Sequence, residues 1–282
     1  MESLARELKV KTEEQSPSID YYAELSRRKK YVMKSHLVIW SILLLLVGWS
    51  WYGTGFSLSI LYYGPISMTG FIVENLLRPD FTAIPQYLSP AIMTIYMSFA
   101  GMVLSVIASL FFAFMSASNT TPHKSIAFMS RSIVAFLRAV PALILGMVLV
   151  VAFGLGTLAG TLALAISGIG ILGRAFADVI EEIDEKQVDA VRATGANWFQ
   201  IMGQAVWPQF KSGFVAWSLY KMDLNIREAA VLGLIGAGGI GYALQGNLNL
   251  FQYDRAVVGI LMIFGLILAV EFATAKIRER II

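Results

Sequence analysis

Five ionisable residues stand inside otherwise apolar stretches of this chain: Arg138, Lys221, Asp223, Arg227 and Glu228, with the amide Asn225 among them. Charges inside a bilayer are costly, and they usually face a bundle interior or a wet cavity. Arginine offers a planar fork of donors suited to a small oxyanion. Arg138, Asn225, Arg227 and Glu228 are therefore the candidate lining of a path for such an anion. Contact there is expected to be weak, because a conduit must release what it admits. Structural pairing competes with this reading, with Lys221 meeting Asp223 or Arg138 meeting Glu228 across helices. Glu181, Glu182, Asp184 and Glu185 form a second charged group. Paired carboxylates can serve acid–base chemistry, but a charge run at the end of an apolar segment reads as a solvated helix end.

Other chemistries find no support. The chain has no cysteine, which excludes disulfides and thiolate metal sites. Its two histidines, His36 and His123, are far apart in sequence and both beside basic residues, so no histidine metal site is expected. Gly236, Gly238 and Gly241 formally spell G-x-G-x-x-G. A dinucleotide site would need a strand before them and a helix after them in a βαβ unit, and here they follow an apolar span. Gly236, Gly238, Gly239 and Gly241 read instead as a break at the end of that span, either the hinge of an external gate or close packing by small residues. No G-x-x-x-x-G-K-[ST] occurs, so the chain carries no P-loop.

The elements that must position these residues are membrane helices. Of 282 residues, 57% are hydrophobic and only 15% charged, well outside the soluble average. A bilayer crossing takes about 20 largely apolar residues. Six spans are expected, near residues 37–56, 90–117, 125–153, 157–180, 210–235 and 253–275. Arg138 lies about 20 Å into the third of these. The reading has three parts: a cytoplasmic N-terminal tail over 1–36, a first span with an external segment over 37–89, and a core over 90–282. The tail, which mixes both charge signs, is either partly disordered or a helix lying on membrane lipid. Arg27, Arg28, Lys29, Lys30 and Lys34 precede the first span and place the N-terminus inside. Lys186, Arg192 and Lys211, then Lys276, Arg278 and Arg280, fall on the same side, leaving Arg78 and Arg255 outside. Both termini and the polar interruption over 181–209 are thus expected in the cytoplasm, in a multi-pass membrane protein.

That interruption predicts a helix ending at Gly195, a turn, and a second helix running to Pro208. Ala190, Ala193 and Ala196 leave room for the close approach of a partner, although an interfacial hairpin without a partner fits the periodicity as well. The spacing of Asp189-Ala190-Val191, Gly195 and Ala205-Val206-Trp207-Pro208 resembles EAA-x3-G-x9-I-x-LP, the cytoplasmic signature of the membrane subunits of binding-protein-dependent ABC importers. Asp189, Val191, Ala205 and Trp207 depart from that pattern, while Ala190, Gly195 and Pro208 match it. A second block, Leu219 to Ala230 followed by Val231-Leu232-Gly233 and Gly236 to Gly241, is similar to the fifth-span signature of phosphonate importer permeases. So are Leu137-Arg138-Ala139-Val140-Pro141 and Phe153-Gly154-Leu155-Gly156 to their counterparts in that family. Glu228 stands where that family usually has a small residue such as serine.

The resemblance implies an all-α, polytopic type I ABC importer core like that of methionine permeases. It implies a transport subunit, not an enzyme, for phosphonates or similar phosphorus oxyanions, with phosphite, hypophosphite or another small solute as the alternative. An ion-coupled secondary transporter is the alternative from another class. Asp189, Ala190, Ala193, Gly195, Ala196 and Pro208 would form the ATPase-coupling surface. The implied partners are a second copy of the chain, two ATPase subunits that bind ATP and Mg, an extracytoplasmic substrate-binding protein and membrane lipid. No cofactor in this chain and no nucleic acid are implied.

Overall fold

The computed structural model describes residues 21–55 and 57–281, so the first part of the expected N-terminal tail, 1–20, lies outside the described residues. The described residues fall into two compact units divided between Gly70 and Phe71. The first holds α1 (Tyr21–Gly53) and nearly all of α2 (Leu58–Phe71). Its stretch Arg28–Gly53 is long and apolar enough to cross a membrane, and none of that apolar window is buried by protein. Trp40, Leu44 and Trp49 are all exposed there. An apolar helix exposed along its length needs hydrocarbon around it.

The second unit opens with a π turn, Ile72–Leu76, and a 3-10 turn, Phe81–Ala83. Its helices are α3 (Ile84–Ser116), α4 (Lys124–Ala139), α5 (Ala142–Phe153), α6 (Thr157–Glu181), α7 (Glu185–Ala193), α8 (Trp198–Ile201), a π turn Met202–Val206, α9 (Trp207–Leu234), α10 (Gly239–Asn249) and α11 (Tyr253–Ile281). Five stretches of the chain are long and apolar enough to span a membrane, or six if α4 and α5 count as one bent span. The expected continuous third span is thus two helices, meeting at 88°. Pro141 is the reason: it disfavours helix at the residue before it, and Val140 is extended. Arg138 therefore sits in the last turn of α4, at a corner, instead of deep in a straight span.

Helix α6 runs through the middle of this unit, packed on α3 by small residues. Tyr87, Ala91, Thr94, Ser98, Gly101, Ser105, Ser109 and Ala113 recur every three or four residues along α3 and are all buried. Small residues let helices approach closely where no hydrophobic effect drives them together. A Cβ on Gly101 would stand 2.8 Å from that of Leu164 on α6. Apolar clusters lie at both ends of the packed unit. Phe176, Ile180, Ile183 and Phe210 close the end that carries α7, and Tyr87, Ile240, Leu244 and Val258 close the other.

At that other end Asp80 caps the 3-10 turn through Thr82 and meets the Arg255 guanidinium at 3.3 Å, tying α3 to α11. The Thr82 hydroxyl and backbone N–H, with Arg255 behind them, hold the Asp80 carboxyl below the usual carboxylate range. Asn247 donates to the Tyr87 hydroxyl at 2.7 Å, and that hydroxyl donates to the Arg255 carbonyl, which adds α10 to the same tie.

Candidate functional site

On α9, residues 221, 225 and 228 are separated by four and three positions, so Lys221, Asn225 and Glu228 share one face. That face is turned into the bundle: Lys221 and Asn225 are both fully buried, while Glu228 is 28% exposed. Lys221 Nζ lies 2.9 Å from Glu228 Oε2. The lysine stem passes the point where α6 has Gly168; a Cβ there would stand 3.0 Å from Lys221 Cε and 2.6 Å from Ser105 Oγ of α3. Asn225 Nδ2 donates to the Ser98 carbonyl at 2.9 Å, which joins α9 to α3. Asn225 Oδ1, Ser98 Oγ and Ser109 Oγ are buried without a hydrogen-bond partner among the described residues. Such a group in an apolar interior carries its full desolvation cost, about 1–3 kcal/mol.

The second charged pair on this helix follows a different direction. Arg227 Nη2 lies 2.9 Å from Asp223 one turn earlier and 3.5 Å from Glu271 on α11, and the arginine is about half exposed. The two pairings anticipated from sequence, Lys221 with Asp223 and Arg138 with Glu228, are therefore not the ones formed. Helix phase explains the first of these. Positions two apart on a helix point about 200° from each other, whereas positions seven apart differ by about 20°. Arg138 is exposed, and its side chain has no ion pair or hydrogen bond among the described residues. Its backbone lies against Gly170 of α6, where a side chain would collide. The four residues expected to line one path are thus not drawn into one cluster. Asn225 and Glu228 share a face, Arg227 turns toward α11, and Arg138 stands apart on α4.

The polar interruption forms the other site. Helix α7 starts at its N-cap Asp184, whose side chain accepts from Lys186 N, and Gly195 follows its end with φ +78°. Asn197 and Gln200 then form a reciprocal capping box on α8. The chain continues through the π turn into α9, with Pro208 in the first turn of that helix, where its missing N–H is harmless. The expected second helix running to Pro208 is therefore α8 and a π turn merging into the next span. Ile183 and Ala205 point inward and are buried, whereas Asp189, Ala190, Ala193, Gly195 and Pro208 are exposed and Ala196 half-buried. Beneath the hairpin lies a partly open cavity of about 790 Å³, lined by Phe114, Ile183, Val188, Asp189 and Trp198 among others. The neighbouring aromatics Trp198 and Phe199 are exposed.

The glycine run between α9 and α10 divides into two roles. Gly236, Gly238 and Gly239 have φ between +72° and +91°, a backbone only glycine adopts readily. Gly241 is helical, buried, and packed against the Ala230 carbonyl, where any side chain would collide. No strand precedes the run among the described residues, so it is not a dinucleotide loop. Nor does any group of three His, Asp or Glu residues converge among them as a metal site would require.

Residues 106–282 match the family described as the binding-protein-dependent transport system inner membrane component. The chain belongs to this family. It is the permease subunit of an ABC importer, a multi-pass membrane protein and a transport component instead of an enzyme. Over 201 residues it is 38% identical to the phosphite transport system permease protein PtxC of Stutzerimonas stutzeri, covering 71% of this chain and 73% of that protein. Over 189 residues it is 41% identical to the phosphate-import permease protein PhnE of Mycolicibacterium smegmatis, covering 67% of this chain but only 36% of that protein. Among solved structures it is similar to the MetNI methionine ABC transporter in an inward-facing conformation, with a TM-score of 0.63 and 19% identity, over 72% of this chain and 99% of that one. That likeness shows the fold, an all-α type I importer core.

Sequence reasoning overlooked the buried serines of α3. Their signal was available: Thr94, Ser98, Ser105, Ser109 and Ser116 fall on one helical stripe inside a long apolar segment, where each hydroxyl needs a partner.

Proposed function

We propose that this permease carries phosphonates or similar phosphorus oxyanions, phosphite among them, into the cytoplasm. The observation that carries the substrate class is the 38% identity over 201 residues to a phosphite-system permease, with a phosphate-import permease at 41% beside it. In this reading two copies of the chain enclose one pathway, and each offers its exposed Asp189–Ala190–Ala193 face to one of two ATPase subunits. The ATPases bind ATP and Mg; an extracytoplasmic binding protein delivers the anion. Closure of the ATPases moves α7 about Gly195 and, through the π turn, α9. Arg138, Asn225, Arg227 and Glu228 belong to the path or its walls, and the glycine run from Gly236 to Gly241 to its outer gate. The positive-inside pattern supports a cytoplasmic position for the loop and both termini.

The test is co-purification with the candidate ATPase and binding protein, followed by ATP hydrolysis measured against a panel of phosphonates, phosphite, hypophosphite and phosphate. Stimulation by one or more of them is expected, and their order identifies the physiological anion. Stimulation by none overturns the substrate class. Uptake by liposomes holding this chain alone, driven by an ion gradient, would overturn the ATPase-coupled reading.

A further inference from the structure

Lys221 and Glu228 form an ion pair with unequal surroundings. The ammonium is fully buried, while the carboxylate reaches the surface of the bundle with 28% of its side chain exposed. Lysine has three donors, and among the described residues only Glu228 takes one. On the same face of α9 Asn225 Oδ1 is buried, and so is Ser98 Oγ on the facing helix α3; neither has a hydrogen-bond partner among the described residues. The Ser98 hydroxyl can therefore donate to a further acceptor, and Gly168 keeps a backbone-wide slot open for the lysine stem between α3 and α6. A buried cation and a buried amide thus share one face of α9 with a partly exposed carboxylate, and the Ser98 carbonyl of α3 meets that amide.

We propose that Glu228 is a resident anion that occupies Lys221 until a small oxyanion replaces it. Lys221 is then a cation of the pathway beside Arg138 and Arg227, and Glu228 is the competitor that keeps it from holding its cargo. This rests on the oxyanion reading above. A phosphorus oxyanion and a carboxylate offer an ammonium the same kind of charged oxygen acceptor. Exchanging one for the other keeps the buried ammonium neutralised at every stage, which the bilayer interior demands. The displaced carboxylate moves toward the surface it already touches. Its return expels the oxyanion, which supplies the weak, reversible hold that conduction requires.

The chain is tested as the assembled complex with its ATPase and binding protein in proteoliposomes, with labelled phosphite and labelled methylphosphonate as probes. The double variant Lys221→Met/Glu228→Gln removes both charges at nearly constant volume, a change that a purely structural pair tolerates. It is expected to assemble yet lose uptake by about 20-fold or more, the loss of a charged contact to the anion. Glu228→Gln alone keeps the cation and removes the competitor. It is expected to lower maximal uptake by about fivefold while also lowering the half-saturating ligand concentration, the signature of a site that holds its cargo too well. Wild-type uptake together with at least half of that rate in the double variant shows the pair to be structural and overturns the proposal. If the double variant does not assemble, Glu228→Gln decides: unchanged kinetics overturn the proposal as well. A wild-type complex that takes up neither probe sinks the oxyanion class itself, and with it the role of Lys221.

Discussion

Two ion pairs of this permease have nearly the same chemistry and opposite surroundings. On α7, Asp189 and Arg192 meet one turn apart with both side chains about two-thirds exposed. On α9, Lys221 and Glu228 meet two turns apart with the ammonium fully buried. An exposed pair is screened by water and held by flexible side chains, so it contributes about 0–1 kcal/mol. A buried pair is different: its formation is offset by desolvation, but the loss of one partner strands a charge. The contrast separates two jobs. The α7 pair leaves its helix surface free to meet another protein. The α9 pair sets the internal charge of the bundle, and whatever disturbs it is felt by α3 and α6 as well.

The largest effect is expected where this asymmetry is broken from the exposed side. Glu228→Ala leaves the Lys221 ammonium buried and without a counter-charge, and is expected to destabilise the purified complex by about 3–5 kcal/mol. Lys221→Met strands instead a carboxylate that still touches the surface, with an expected cost of about 1–2 kcal/mol after allowing for that exposure. Thermal melting of the two single variants compares them directly. Equal costs would mean that the burial difference between the partners carries no energetic weight.

A glycine pair sharpens the same comparison one step down. Gly241 faces the Ala230 carbonyl inside the α9–α10 contact, and an added Cβ would meet main chain that has nowhere to go. Gly241→Ala is therefore expected to cost about 1–3 kcal/mol, the range for overpacking. Gly195 has open space around it, and only its φ of +78° resists a side chain. Gly195→Ala is expected to cost about 1 kcal/mol, and to be felt in the loop alone. Hydrogen exchange distinguishes them: Gly241→Ala is expected to raise exchange in both α9 and α10, and Gly195→Ala only between α7 and α8. Exchange spreading into α9 from Gly195→Ala would show that the loop and the bundle are one cooperative unit.

The long apolar segments of α3, α6, α9 and α11 are legible in the sequence because a membrane helix is set by length and hydropathy, which are local properties. The end of α7 is legible for a similar reason, since Gly195 acts on its own backbone. What the residues do to each other is less so. Arg138, Asn225, Arg227 and Glu228 all stand in apolar segments, yet they part company because helix phase sends Arg227 toward Glu271 and Glu228 toward Lys221. Pro141 is visible in the sequence, but the turn it causes depends on α4 finding a seat against Gly170, a contact formed across helices. The serines of α3 vanish in an average dominated by their apolar neighbours. Their spacing still marks one stripe, but only the packing against α6 and α9 shows what that stripe faces.

The smallest effect on stability is expected at the exposed pair, and there the separation of jobs is most open to test. Asp189→Asn removes one charge from a contact at the surface, three residues from its partner on the same helix turn. Melting of the complex is expected to change by no more than about 0.5 kcal/mol. If the exposed face of α7 docks on the ATPase, the same change removes a charged contact across that interface. Ligand-stimulated ATP hydrolysis is then expected to fall by about tenfold, a typical size for one such contact. The two readouts must part for the comparison to hold. A loss of stability as large as that of Glu228→Ala would make the α7 pair a structural element of the permease. Unchanged stimulation with unchanged melting would place the docking surface elsewhere on the loop, with Trp198 and Phe199 the next exposed side chains to replace.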